Sequence, residues 1–440
     1  QTMQERMKEC KVQILDYAKQ TGASFNHANP DFDGSLSDVE LFSALKLIIE
    51  YETGITIPAT HNGLGYNNLI FMSLLLAKMQ VNSDGNYLGS NAKVFPILAI
   101  EEPEAHLHPA MQYKFLKFLK ENKDVKKKVR QIFITTHSTQ ITSAVSLDEI
   151  ICLHSENDIL SIGYPGKVFS ETDEDKKSKA YVQRFLDATK SDMLFAQKVI
   201  LVEGIAEELL LATMAKYIGH SLEDSHVAVI NVGGRYFSHF IKLFDTSNPY
   251  SIPKKVICLT DRDPSRKKRN GGQHFEKCYP YEYCCEVANY EYAENAEDII
   301  NTFNANATIH FFSQDKLKSK TFEYDLILHN PTLDILITDS IKNPEEIKEL
   351  MTNNYFDALN TLRTSAENDR IAQSLEASLW NEDEKKKALV ASRYLNSVGK
   401  GENALELCSI LEENLLLPAN ERRTFDVPQY IKDAIEWLLQ

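Results

Sequence analysis

Between Val94 and Ile100 the chain is apolar throughout (VFPILAI), and the run breaks off into two acids, Glu101 and Glu102. A short continuous apolar run of this kind predicts a buried strand. Apolar residues then recur at helical spacing from Pro109 to about Leu119, and QIFIT, Gln131 to Thr135, predicts a second short buried strand. A polar, charged stretch from about Gly166 to Lys179 reads as a linker. The alternation restarts near Lys198 with the strand VILVEG and a helix from about Ala206 to Tyr217. Next come the strand HVAVINVGG, a helix from about Tyr236 to Phe244, and the strand KVICLTDRD, which runs into a basic, Gly-containing loop. Strands alternating with helices predict a parallel sheet. Beyond about Ile341 helix formers dominate, with apolar residues at helical spacing.

Carboxylates stand where the strands of the second block end. Glu203 closes one strand before Gly204, and Glu207 follows in the first turn of the next helix; Asp261 and Asp263 end another strand as TDRD. Consecutive strands of a parallel sheet end on the same side, where ligand sites lie. The fold therefore brings Glu203, Glu207, Asp261 and Asp263 together. Four carboxylates in one place repel one another unless a hard divalent cation sits between them, and oxygen ligands suit Mg²⁺ or Mn²⁺. Such ions generate a hydroxide nucleophile and stabilise the leaving oxygen in phosphoryl transfer. Taken singly, Glu207 also reads as a first-turn acid favoured by the helix dipole, and Asp261 as a cap.

These residues resemble the Toprim domain shared by topoisomerases, primases and certain nucleases, with a Glu after the first strand and an Asp-x-Asp after a later one. The added Glu207, the segment VGGRYFSHFIKLF, and the later TFEYDL and VGKGENALEL are similar to the OLD (overcoming lysogenization defect) family of ATP-dependent endonucleases, over nearly the whole chain. That family includes Gabija-like and stand-alone phage-defence nucleases. The resemblance implies Glu323 as a further metal ligand and Lys400 as an active-site cation. Lys400 would neutralise charge on the pentacoordinate phosphate or protonate the leaving oxygen. By residue type alone, Lys400 between Gly399 and Gly401 reads as a surface lysine, and Glu323 as a solvated strand edge. Gly233 and Gly234 make a tight turn.

The first block resembles an ABC-type ATPase. In ILAIEEPEAHLHP, Glu101 takes the place usually held by an Asp that supports Mg²⁺. Glu102 matches the base that polarises the attacking water, and PEAHLHP is similar to the D-loop. QIFITTHS ends at His137, which matches the switch histidine that senses the γ-phosphate. THNGLGYNNLIF looks like a degenerate signature, in which Gly63 and Gly65 expose backbone N–H groups at a helix start. In that family the signature reaches nucleotide on another protomer, which implies a homodimer or higher even oligomer. No G-x-x-x-x-G-K-[ST] occurs in the 440 residues. The expectation is that a portion preceding Gln1 carries it, because the downstream motifs look intact.

Composition adjusts this picture only slightly. Hydrophobic content of 43% and charged content of 25% are those of a globular chain with sizeable cores. No apolar run approaches the ~20 residues of a membrane span, and the N-terminus has no signal-peptide core. Scattered cysteines fit a reducing cytoplasm. Cys278, Cys284 and Cys285 near His274 match no C-x₂-C pair and read as ordinary thiols. The net charge of −15 excludes a generally basic nucleic-acid coat. It leaves local tracts, at Lys126-Lys127-Lys128 with Arg130, at Arg266 to Arg269, and at Lys316, Lys318 and Lys320, as contacts for phosphate.

The sequence thus predicts an α/β chain: residues 1–165 as the C-terminal portion of an ABC-type ATPase, 166–196 as linker, 197–335 as a Toprim parallel-sheet domain, and 336–440 as a helical region carrying Lys400. The expected activity is Mg²⁺- or Mn²⁺-dependent cleavage of DNA under the control of ATP. The family adds phage defence, with a helicase-like or nucleic-acid partner. Two rival readings remain: a non-cleaving, ATP-gated DNA clamp of the recombination-mediator type, and a topoisomerase or primase. The latter pair should show a nucleophilic Tyr in a DNA-gate segment or a zinc module, and neither is identifiable.

Overall fold

The computed structural model describes residues 3–21, 28–33, 46–51, 55–58, 61, 63–83, 95, 97–125, 131–156, 158–186, 190–283, 288–294, 296–303, 305–362 and 364–440. The chain divides into two compact units, Gln1–Ser146 with Leu186–Ser191, and Leu147–Phe185 with Asp192–Gln440.

In the first unit the apolar run becomes the strand Ile97–Glu101, paired in parallel with Gln131–Thr135. The helix Pro109–Lys120 connects them; Pro109 opens it, and His108 caps it by accepting the Ala110 N–H at 3.3 Å. Leu98 and Ile100 pack with Tyr17, Leu69, Leu76, Phe115 and Phe118 in one core. Burial alternates along both strands. Ile97 is 52% exposed and Phe133 48%. The expectation of buried strands therefore holds on one face, which packs on the helices; among the described residues nothing covers Ile97 or Phe133 on the other. A separate antiparallel sheet joins Ala28–Asp33, Lys46–Tyr51 and Thr56–Pro58.

The second unit is built on four parallel strands, in the order Ile309–Phe312, Val256–Leu259, Lys198–Val202, Val227–Asn231. The two central strands are buried, and their ends are level, with Val202 opposite Leu259. The helix Ile205–Tyr217 follows the second of them. A small antiparallel sheet joins Glu276–Lys277, Ser265–Lys268 and Tyr290–Ala293. The helices Pro344–Thr352, Glu382–Leu395, Lys400–Leu416 and Gln429–Leu439 share one core with the sheet, running from Ile200 and Leu259 through Leu389 and Leu407 to Leu438. The boundary expected at 335–336 runs through this core. A buried, bidentate pair between Arg393 and Glu346, at 2.9 and 3.0 Å, ties two of the helices together.

Residues 166–196, expected as a linker, instead contain the helix Asp173–Phe185 and the short helix Asp192–Phe195. Asp173, Glu174 and Asp175 lie in the first turn of the longer helix, where acids favour the dipole, and Val182 is buried. Cys152, Cys258 and Cys278 are buried free thiols. Cys284, Cys285 and the tract at Lys126 to Arg130 lie outside the described residues. Among the described residues no helix is long and apolar enough to cross a membrane.

Candidate active site

In the second unit the level ends of the central strands deliver their acids side by side. Glu203 follows Val202, and its Oε1 accepts the Thr260 hydroxyl at 2.5 Å and the Asp261 N–H at 3.2 Å. Asp261 is buried; its Oδ1 accepts the Gln314 side-chain amide at 2.6 Å and the Phe322 N–H at 2.9 Å. Gln314 comes from the end of the neighbouring edge strand. Three adjacent strand ends thus converge on one edge. Phe322 starts the helix Phe322–His329, so Glu323 stands in a first helical turn, buried, rather than on a solvated strand edge.

Glu207 is buried in the first turn of Ile205–Tyr217, whose N-cap is Gly204. A Cβ on Gly204 would lie 2.9 Å from the Glu207 carboxylate, so the glycine leaves room for that carboxylate over the strand end. Asp263 sits at φ 43°, with its N–H donating to the Lys320 carbonyl at 3.0 Å. Glu203, Glu207, Asp261, Asp263 and Glu323 all line one cleft of about 570 Å³.

Electrostatics show how tightly these groups crowd. Burial pushes Asp261 well above the ordinary carboxylate range, and Glu207, Glu323, Glu203 and Asp263 each add to the shift. Burial also raises Glu203, against the opposing pull of the Thr260 hydroxyl and Arg235. Two like charges ~4 Å apart at an effective dielectric near 20 repel by roughly 4 kcal/mol, which is comparable with a domain's whole net stability of roughly 5–15 kcal/mol. Full ionisation of the set therefore requires cations. An all-oxygen donor set suits a hard divalent ion. Among the described residues, no three acidic, histidine or cysteine side chains stand close enough together to hold a metal ion. The fit lies in the chemistry and crowding of the donors.

The same cleft is also lined by Lys277, Tyr279, Lys320, Glu367, Arg370 and Asn396. Lys320 donates to the Cys278 carbonyl at 2.7 Å and lies 4.2 Å over the Tyr279 ring, and burial lowers its ammonium to about 8. Arg370 is held by the buried Glu282 at 2.9 and 3.0 Å. The sequence counted Lys320 only within a basic tract and passed over Arg235, Gln314 and Arg370. Of these, Arg235 alone had a local signal, in its place next to Gly233 and Gly234.

Lys400 is the first residue of the helix Lys400–Leu416, and its side chain lies outside the described residues. The neighbouring Gly401 backs onto Ile205, where a Cβ would meet Ile205 Cγ2 at 3.4 Å. The start of this helix therefore lies beside the start of the Glu207 helix.

In the first unit Glu101 and Glu102 line a second cleft, of about 690 Å³, with Asn68, Ala105 and Thr135. Glu102 is at φ 41°, its N–H donates to the Thr135 carbonyl at 2.9 Å, and its carboxylate lies 3.6 Å from the His137 ring. Both side chains are open to solvent, at 58% and 83%. Gly63 precedes the helix Leu64–Ser83, and Gly65 packs so closely on the His106 carbonyl that no Cβ would fit. The signature-like turn and the D-loop-like turn are thus in contact, although neither glycine lines the cleft.

Comparison with known proteins gives two family matches: an AAA ATPase domain over residues 1–142, and the overcoming lysogenization defect protein-like TOPRIM domain over residues 194–263. The endonuclease GajA of Bacillus cereus (strain HuB5-5) is 26% identical over 267 residues, 53% of this chain and 36% of that protein. The OLD nuclease of Thermus scotoductus is 24% identical over 236 residues, 52% of this chain and 42% of that one. Across the curated relatives it matches, the chain spans from 28% to 42% of their length. Among solved structures, the C-terminal region of the Burkholderia pseudomallei OLD protein is similar at 20% identity, over 56% of this chain and 97% of that one, with a TM-score of 0.30.

Proposed function

We propose, from the premise that this chain joins an AAA ATPase segment to an OLD-like Toprim domain and is homologous to the GajA and OLD nucleases, that it is a metal-dependent endonuclease or nickase acting on DNA. The observation that carries the reading is the set of five carboxylates, Glu203, Glu207, Asp261, Asp263 and Glu323, that line one cleft.

Glu203, Glu207, Asp261, Asp263 and Glu323 would hold Mg²⁺ or Mn²⁺, which when bound supplies an activated water and stabilises the leaving oxygen. Gln314 and the Phe322 N–H fix the Asp261 carboxylate by hydrogen bonds to one of its oxygens. Thr260 does the same for Glu203. Lys277, whose side chain is largely exposed, offers positive charge for the phosphate backbone. Lys400 would carry the charge partner for the developing phosphate negative charge.

In the first unit, Glu102 and His137 would polarise water and read the terminal phosphate of ATP, with Glu101 supporting its metal. Gly63 and Gly65 would face a nucleotide on a second copy, so the working assembly is a dimer or higher even oligomer. Phage defence is the physiological role that the relatives suggest, with a helicase-like or nucleic-acid partner. The test is incubation with supercoiled plasmid in Mg²⁺, Mn²⁺ or EDTA, with RNA as a parallel substrate. Nicking with either metal and none in EDTA is expected; cleavage that persists in EDTA sinks the reading.

A further inference from the structure

The carboxylate edge already contains a cation of its own. Arg235 stands 2.6 Å from Asp263 Oδ2 through Nη2 and 3.7 Å from Glu203 Oε2 through Nε. It bridges acids from the ends of two different strands, and the preceding Gly234 lines the cleft. Its backbone comes from the turn after Val227–Asn231, where Gly233 and Gly234 take φ 77° and 123°, conformations costly for other residues. The Gly233 N–H is held by Asn231 Oδ1 at 2.8 Å. Lys277 also faces Asp263, but at 3.9 Å and with 78% of its side chain exposed, against 36% for Arg235.

We infer that Arg235 is a built-in counter-cation that competes with the divalent metal for Glu203 and Asp263 and must swing out on the Gly233–Gly234 turn when metal binds. The inference rests on the metal-site reading above. An ordered guanidinium at this place neutralises part of the edge while the carboxylates carry no metal, and so limits their mutual repulsion. A metal taking the same oxygens breaks both contacts. The released guanidinium then has a free fork that suits phosphate.

The experiment titrates Mn²⁺ alone into the protein by calorimetry and follows backbone hydrogen exchange across residues 231–237, for wild type, Arg235→Ala, Arg235→Lys and Asp261→Asn. Arg235→Ala should bind Mn²⁺ ~2–5-fold more tightly, the range expected for losing one partly exposed ion pair. Arg235→Lys should stay near wild type. In wild type, exchange across the turn should rise on adding Mn²⁺. Tighter binding without that rise means a nearby charge and no displacement, which overturns the inference. So does equal Mn²⁺ affinity in wild type and Arg235→Ala. If neither binds Mn²⁺, it is the metal-site reading that fails; in a protein that does bind, Asp261→Asn should weaken or abolish binding.

Discussion

Two apolar strands in this chain end in paired acids, and the pairs live in different surroundings. Glu101 and Glu102 end a strand along which burial alternates, with Ile97 exposed. Asp261 and Asp263 follow a strand flanked on both sides and buried throughout. The backbone solution is the same in both places: Glu102 at φ 41° and Asp263 at φ 43° are held left-handed by N–H donation to a carbonyl of another segment. Such a residue costs about 1–3 kcal/mol and persists only where its surroundings determine it. The electrostatic outcome differs. Water screens Glu102 and His137, whereas Asp261 is desolvated and pressed by four other carboxylates. Strand-end acids are thus a shared piece of geometry; burial and crowding turn one pair into a strong claim on a cation.

The contrast breaks most sharply at Asp261. Asp261→Ala should reduce plasmid nicking by ~10³-fold or more, the several kcal/mol expected when a metal-centred interaction is lost, with circular dichroism unchanged. Glu102→Gln, in a chain that includes a phosphate-binding loop, should instead stop ATP hydrolysis and retain ATP binding, because an amide holds water but cannot accept its proton. If Asp261→Ala cuts at the wild-type rate, the buried cluster is no more catalytic than the exposed pair.

Lys400 extends the contrast, since the open cleft has no counterpart in the proposal. Lys400→Ala should slow nicking by ~10²-fold, the size of one lost transition-state charge partner. Lys400→Arg should rescue poorly, as a planar fork presents its charge differently from an ammonium. Rates at saturating Mg²⁺ decide this. A smaller effect is expected at Gly204, where an added Cβ displaces the Glu207 carboxylate without removing it. Gly204→Ala should weaken Mn²⁺ affinity and nicking by ~10-fold, the lower end of what loss of ligand support costs, and calorimetry reads it directly.

The smallest effect is thermal. Below its ordinary value of 3.8, Asp261 is protonated both folded and unfolded; as pH rises towards its elevated native value, the unfolded chain releases the proton and the native one keeps it. Stability is therefore lost across that window. Metal-free Asp261→Asn should melt ~2–4 °C above wild type at neutral pH, about 1 kcal/mol for a unit of this size. Scanning calorimetry should show the gap closing as pH falls towards 3.8 and shrinking with added Mg²⁺.

Much of this was legible from pattern. QIFIT is the strand Gln131–Thr135, and the helix expected from Pro109 runs to Lys120, because sharp polar ends leave an apolar run few alternatives. The acids were legible because a parallel sheet puts its strand ends on one edge. Their partners were not. Arg235 meets Asp263 from 28 residues away, and Gln314 meets Asp261 from 53, distances over which no periodicity carries information. The apolar run at Ile97 could not say whether its second face is covered. The acidic stretch at Asp173 looked like a linker because composition cannot tell a solvated helix face from an unstructured segment; the buried side is marked by Ser178 and Val182, four residues apart.

The common core of the sheet and the helices beyond residue 341 has a consequence for inheritance. Leu389, Leu407, Ile431 and Leu438 are packed into the same interior as Ile200 and Leu259. A recombination breakpoint between the carboxylate strands and the final helix would leave half an interior to be completed by a stranger's side chains. Related chains should therefore exchange this stretch whole, from the first carboxylate strand to Leu438, and pass the Lys400 helix on together with the acids it stands beside.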